Sequence, residues 1–207
     1  MHLRKRATSH QLPPAPSVVN PTGRFEGNDG SWSTFSINVN SDEKGENGQN
    51  FRVLISTSSP LTLVPQQTGW CNTDCAERRG VGQFNGRPSL GVQDANSWEQ
   101  AGFYSIPLPY WYPDTFLNTT NHTLGGTWGL TNVGLGESSS DSDVLVDRYV
   151  AKYTFDSGDF FMGSFGLAAG SVGPTGGDQA TFLSQYNVDN GIASVSYGYA
   201  AGAYYRK

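Results

Sequence analysis

Alternation of apolar and polar residues with a period of two constrains this chain more than any other feature. From Trp32 onward, Phe35, Ile37 and Val39 alternate with Thr34, Ser36 and Asn38, the period of a strand with one buried face. Residues 41–50 are polar and contain glycine, after which Phe51-Arg52-Val53-Leu54-Ile55 resumes a strand-like run with the β-branched Val53 and Ile55. The two runs predict a hairpin with a long loop. Further short strands are expected at Leu61–Val64, Phe103–Leu108, Thr127–Leu135, Val144–Thr154, Phe161–Leu167 and Ile192–Tyr199, nearly all bounded by Gly, Asn, Asp or Pro. With 26 glycines, 13% aromatics and only 15% charged residues, the expectation is a mainly β protein, a sandwich or a folded double sheet. One stretch differs. Asp178 to Tyr186 opens on a good N-cap residue and spaces Phe182 and Tyr186 one turn apart, which predicts a single short helix packed on the sheet.

Pro13, Pro14, Pro16 and Pro21 interrupt a beginning that has no periodic apolar pattern. Residues 1–24 are therefore expected to be a disordered leader resembling a propeptide, and residues 25–207 one domain. Within the leader, Arg4-Lys5-Arg6 reads either as a cluster cut by kexin-like processing proteases or as a solvated basic end.

Charge narrows the partners. The formal net charge is -5 and no face-sized cluster of Lys or Arg occurs after the first six residues, so the electrostatic footprint of a nucleic-acid binder is missing. The longest apolar stretch, Phe160 to Val172, is broken by Gly163, Gly166 and Gly170 and is shorter than the ~20 residues of a membrane-crossing helix. No membrane span is expected. The three histidines, His2, His10 and His122, are scattered, so no metal site is expected. The glycines at 173, 176 and 177 lack the spacing of a dinucleotide loop, and no cofactor is expected.

Cys71 and Cys75, in Trp70-Cys71-Asn72-Thr73-Asp74-Cys75, can close a small loop disulfide if the backbone turns between them, or stay free thiols. Asn118-Thr119-Thr120 and Asn121-His122-Thr123 are glycan acceptors in a chain that enters the secretory pathway. The aromatics Trp98, Phe103, Tyr104, Tyr110, Trp111 and Tyr112 cluster in sequence; packing in the core and at its rim is favoured over stacking on a sugar or a protein partner. A serine-hydrolase reading lacks both a Gly-x-Ser-x-Gly elbow and a suitably placed histidine.

Several longer strings carry a family resemblance. Gly27 to Phe35, together with Phe51-Arg52-Val53-Leu54-Ile55-Ser56-Thr57-Ser58-Ser59, resembles the opening of filamentous-fungal proteins with a pepsin-like aspartic protease domain. Gly129 to Gly136 resembles that family's strand after the flap, Phe160 to Leu167 its Gly-x-x-Gly-Leu stretch, and Ser194 to Tyr199 its lobe-ending strand. The resemblance spans about residues 25–205. It implies a secreted protein with the folded double β-sheet of an amino-terminal lobe, and it places Cys71 and Cys75 at the family's small disulfide loop.

The same resemblance implies a fault in the chemistry. Active relatives carry Asp-Thr-Gly-Ser where this chain carries Ser56-Thr57-Ser58-Ser59. In them, two aspartates share a proton and activate the attacking water. A serine hydroxyl is no anionic base at acid or neutral pH, so the expectation is a catalytically inactive pseudoprotease lobe. The nearest match to a second motif, Asp156-Ser157-Gly158, falls by resemblance in a first-lobe loop. Tyr110 to Thr123, the stretch corresponding to the flap, bears both sequons and gives no securely placed flap tyrosine. Two alternatives remain open: an interaction module that docks a peptide or protein partner, or a second copy, through the face between lobes; or a truncated fragment of a two-lobed homologue.

Overall fold

Phe51 and Val53 alternate with Asn50, Arg52 and Leu54, and in the computed structural model the first two are fully buried while the others are half-buried. This alternation sets the inner face of the sheet. The structure describes residues 19–27, 31–66, 72–82, 97–107, 123–139, 144–153, 162–168, 171–172 and 179–189. Its opening strands are β1 (Pro21–Glu26), β2 (Trp32–Val39), β3 (Gln49–Ser56) and β4 (Leu63–Pro65), succeeded by helix α1 (Thr73–Arg78). Then come β5 (Glu99–Pro107), β6 (Thr123–Leu135), β7 (Val144–Tyr153), β8 (Gly163–Gly166), β9 (Ser171–Val172), β10 (Gln179–Ala180) and helix α2 (Phe182–Asp189).

The expected hairpin is present: β2 and β3 pair antiparallel, from Phe35 opposite Val53 to Val39 opposite Gln49. Rather than a sandwich, β1 to β8 form one hydrogen-bonded mixed sheet in the order β1-β2-β3-β8-β4-β7-β6-β5. The sheet curls until β2 also meets β6, with Ile37 opposite Leu135 and Val39 opposite Val133. Strands β2, β3, β8, β4, β7 and β6 thus close a ring, leaving β1 and β5 outside it. Closure explains why β2 buries Asn38 as well as Ile37 and Val39: its carboxy-terminal half has neighbours on both edges. Ile37, Phe51, Val53, Val64, Val133 and Val150 form the heart of the core, each contributing about 1.5–3 kcal/mol by burial.

A buried polar knot holds the start of β5 against this ring. Asn40, at φ 65°, turns its Oδ1 to accept from the Ser97 and Trp98 backbone N–H groups at 2.7 and 2.8 Å. Trp98 lies over Gly129, where any Cβ would collide with the indole ring. The packing reading of Trp98 holds.

Three expectations need correction. The leader was to run through residue 24, yet Pro21 already begins β1, which pairs with β2 through Pro21 opposite Phe35 and Glu26 opposite Trp32. β1 is mostly exposed and is tied down by polar contacts: Glu26 forms an ion pair with Arg52 of β3 (2.7 Å) and accepts from Thr34 Oγ1 at 2.9 Å. Among the described residues two helices are present instead of one. α1 is capped by Asn72, whose side chain accepts from the Cys75 N–H at 3.0 Å, a cap contributing about 1 kcal/mol. The other helix begins later than expected. Thr181 caps it through Oγ1, which accepts from the Ser184 N–H at 3.3 Å, while Gln179 and Ala180 belong to β10 and Asp178 lies outside the described residues, as does Ile192–Tyr199.

Candidate functional site

β3 ends on Ser56, where the chain enters a polar turn with no ionisable side chain from Ser56 through Thr62. Side chains of the turn satisfy its own backbone, as short hydroxyl residues do in tight turns. Ser59 N–H donates to Ser56 Oγ at 3.1 Å, and Leu61 N–H donates to Ser59 Oγ at 3.1 Å. Ser56 and Ser59 are half-buried, whereas Thr57 and Ser58 are exposed.

Strand β8 fixes where this turn sits. It lies between β3 and β4, parallel to β3 from Val53 opposite Gly163 to Ser56 opposite Gly166, and antiparallel to β4 at Leu63 opposite Ser164. Since residues 57–62 connect β3 to β4, they must cross the end of the strand that separates the two. The crossing is sewn down on both sides. Leu167 N–H donates to Ser56 O at 2.8 Å and Ala168 N–H to Ser59 O at 3.2 Å, while Gly166 N–H donates to Thr62 Oγ1 at 3.4 Å. A Cβ on Gly166 would lie 2.5 Å from the Pro60 carbonyl carbon and 2.7 Å from the Leu61 nitrogen. Only glycine lets the turn pass this close.

Behind the turn, Phe165 of β8 meets Phe182 of α2 edge-on with ring centroids 5.0 Å apart, and Phe182 stacks on Tyr186 at 6.0 Å. The expected contact of this helix with the sheet is thereby made, and it stiffens the strand on which the turn rests.

The four residues Ser56, Thr57, Ser58 and Ser59 are thus gathered on one surface turn. Pro60, Thr62 and Gly166, which complete it, were not singled out from the sequence as part of the site; the Gly163-x-x-Gly166 spacing was the signal available. The turn offers hydroxyls and backbone groups, and no carboxylate or imidazole of its own. All three histidines lie outside the described residues. Among the described residues no group of three or more His, Cys, Asp or Glu side chains is placed to hold a metal ion, and no helix is long and apolar enough to cross a membrane.

Other expected sites fall elsewhere. Cys75 sits half-buried in α1, and its expected partner Cys71 lies outside the described residues. Asn118 and Asn121, the basic cluster Arg4, Lys5 and Arg6, and Tyr110, Trp111 and Tyr112 also lie outside them. Neither the protein-family models nor the curated proteins give a match to this chain.

Proposed function

We propose that this chain is a secreted homologue of the pepsin-like aspartic peptidases that has lost hydrolysis and keeps the scaffold. The observation that carries the reading is Ser56 at the end of β3, on a turn devoid of ionisable side chains, at the point where the resemblance would put the family's aspartate. Acid proteolysis by this route needs two carboxylates sharing one proton, one of them an anion able to take a proton from water. The Ser56 hydroxyl accepts a hydrogen bond from Ser59 N–H but does not ionise in the working range of such enzymes. Nor does the turn supply the base that would make it a nucleophile. A Cys71–Cys75 disulfide, glycans at Asn118 and Asn121, and processing after Arg6 belong to the same proposal.

A carboxylate at position 56 would find Ser59 N–H ready to donate to it, so Ser56→Asp is a conservative probe of the site. The variant regains one carboxylate, and hydrolysis by it is expected only where a second carboxylate is placed to share its proton. Digestion of denatured haemoglobin or casein in acid, with and without pepstatin, tests the reading; pepstatin-sensitive cleavage by the wild-type chain would defeat it.

A second reading, an interaction module, draws on Phe25 and Trp32, large apolar side chains 54% and 47% exposed on β1 and β2. Aromatic surfaces of this kind anchor protein interfaces. Light scattering over a wide concentration range distinguishes it: self-association supports a docking surface, and a strict monomer removes a second copy as the partner.

A further inference from the structure

We propose that Asn47-Gly48 is a gated deamidation site, shut in the folded protein and opened when residues 41–48 lift away from residues 136–139. The inference rests on this loop alone and does not depend on the reading of Ser56. An asparagine directly before glycine is chemically the most exposed to this reaction, because no side chain shields the next backbone nitrogen. That nitrogen loses its proton to solvent base and attacks the asparagine Cγ. The new N–Cγ bond closes a five-membered imide as the Cγ–Nδ2 bond breaks and ammonia leaves. Water then opens the ring to aspartate or isoaspartate.

Both reacting groups are engaged in the structure. Asn47, exposed and at φ 60°, donates from Nδ2 to Asp42 Oδ2 at 3.2 Å. The Gly48 N–H is buried and donates to Ser138 Oγ at 2.8 Å. Ser138 is itself fixed, donating from Oγ to Gly45 O at 2.6 Å and from its N–H to Asn50 Oδ1 at 2.7 Å. The attacking nitrogen is thus committed to a serine oxygen on another loop, and its release requires local opening.

Reaction would make opening one-way. The Asp42 carboxylate is the hub of the loop, accepting at Oδ1 from the Lys44 and Glu46 N–H groups at 2.9 Å each. Deamidation exchanges the donor that faces Asp42 for a second carboxylate, so attraction becomes like-charge repulsion at the same spot.

The test tracks aspartate and isoaspartate at position 47 by peptide mapping of the full chain held in mildly alkaline buffer, folded and in denaturant. Conversion should be at least ~10-fold slower in the folded chain. Ser138→Ala, verified as folded by circular dichroism, should recover most of the unfolded rate. Equal rates in folded and unfolded chain, or a folded Ser138→Ala variant that reacts as slowly as wild type, would overturn the proposal. If that variant does not fold, hydrogen exchange of the wild-type Gly48 amide gives the same information. Protection matching the slowing of deamidation supports the gate, and an unprotected Gly48 amide refutes it.

Discussion

Replacing Gly166 by alanine probes the crossing of the Ser56 turn over β8 with a single methyl group. The added carbon would meet the Pro60 carbonyl carbon at 2.5 Å, its oxygen at 2.6 Å and the Leu61 nitrogen at 2.7 Å. All three are backbone atoms, so no side chain can swing aside, and the turn itself must move. Overpacking of this kind costs about 1–3 kcal/mol, and rigid neighbours place it at the upper end. The loss of unfolded-chain freedom on going from glycine to alanine offsets about 0.4–1 kcal/mol. The net cost is about 2 kcal/mol, which for a chain of this size lowers Tm by roughly 4–8 °C. Thermal unfolding monitored by circular dichroism reads the shift, with Ser58→Ala, at an exposed position of the same turn, as a control expected to stay within about 0.5 kcal/mol of wild type. A Gly166→Ala protein as stable as wild type would show that residues 57–62 do not lie across β8 as described, and the geometry of the site would fall with it.

Polar contacts give two further perturbations. Glu26→Gln leaves Arg52, whose side chain is 12% exposed, without its anion, and should cost about 3 kcal/mol in urea unfolding; adding Arg52→Met to it should restore much of the loss, because removing the guanidinium leaves no unpaired charge buried. A double variant no better than the single one would count against the ion pair as the fastening of β1. For Asp42, burial works to raise the carboxyl, but hydrogen bonds from Glu46, Asn47 and Lys44 and the Lys44 charge outweigh it and hold the group below its usual 3.8. A depressed carboxyl stabilises the fold above its unfolded value and loses that contribution as pH falls through the folded value. Asp42→Asn should therefore be less stable than wild type at neutral pH, with the difference shrinking as pH falls below 3.8 and vanishing only below the lower, folded value; a difference that persists in strong acid contradicts the assignment.

The parts of this fold legible in the sequence are those made by near neighbours. Phe35, Ile37 and Val39 announce β2 because one face of it is buried, and the polar stretch after Ser41 announces the loop before β3. β1 was hidden because it is held by Glu26, Thr22 and Thr34 instead of by buried side chains, and so shows no alternation. α1 was hidden because only Ala76 of its residues is buried, leaving no helical stripe to read. The α2 cap was misplaced because Asp178 and Thr181 are both good cap residues; pairing of Gln179 and Ala180 with β9 decides between them. At the site, the serine tetrad stands out in the sequence, whereas the insertion of β8 between β3 and β4 joins Ser56 to Leu167 across more than half the chain. No local pattern encodes a pairing of that range. The hydroxyl-rich composition of the turn shows that it can satisfy its own backbone, and only the fold shows what it crosses.

The proposed function requires that the position held by Ser56 not support peptide hydrolysis. Its most direct test is cleavage of an unfolded protein substrate by the purified wild-type chain over roughly pH 2 to 6, the range in which paired carboxylates work, with pepstatin and with Ser56→Ala as parallel arms. The account predicts no cleavage above background in any arm. Cleavage by wild type that pepstatin abolishes would mean that an active carboxylate pair exists elsewhere in the chain, and cleavage abolished by Ser56→Ala would make Ser56 a working catalytic residue; either result contradicts the account.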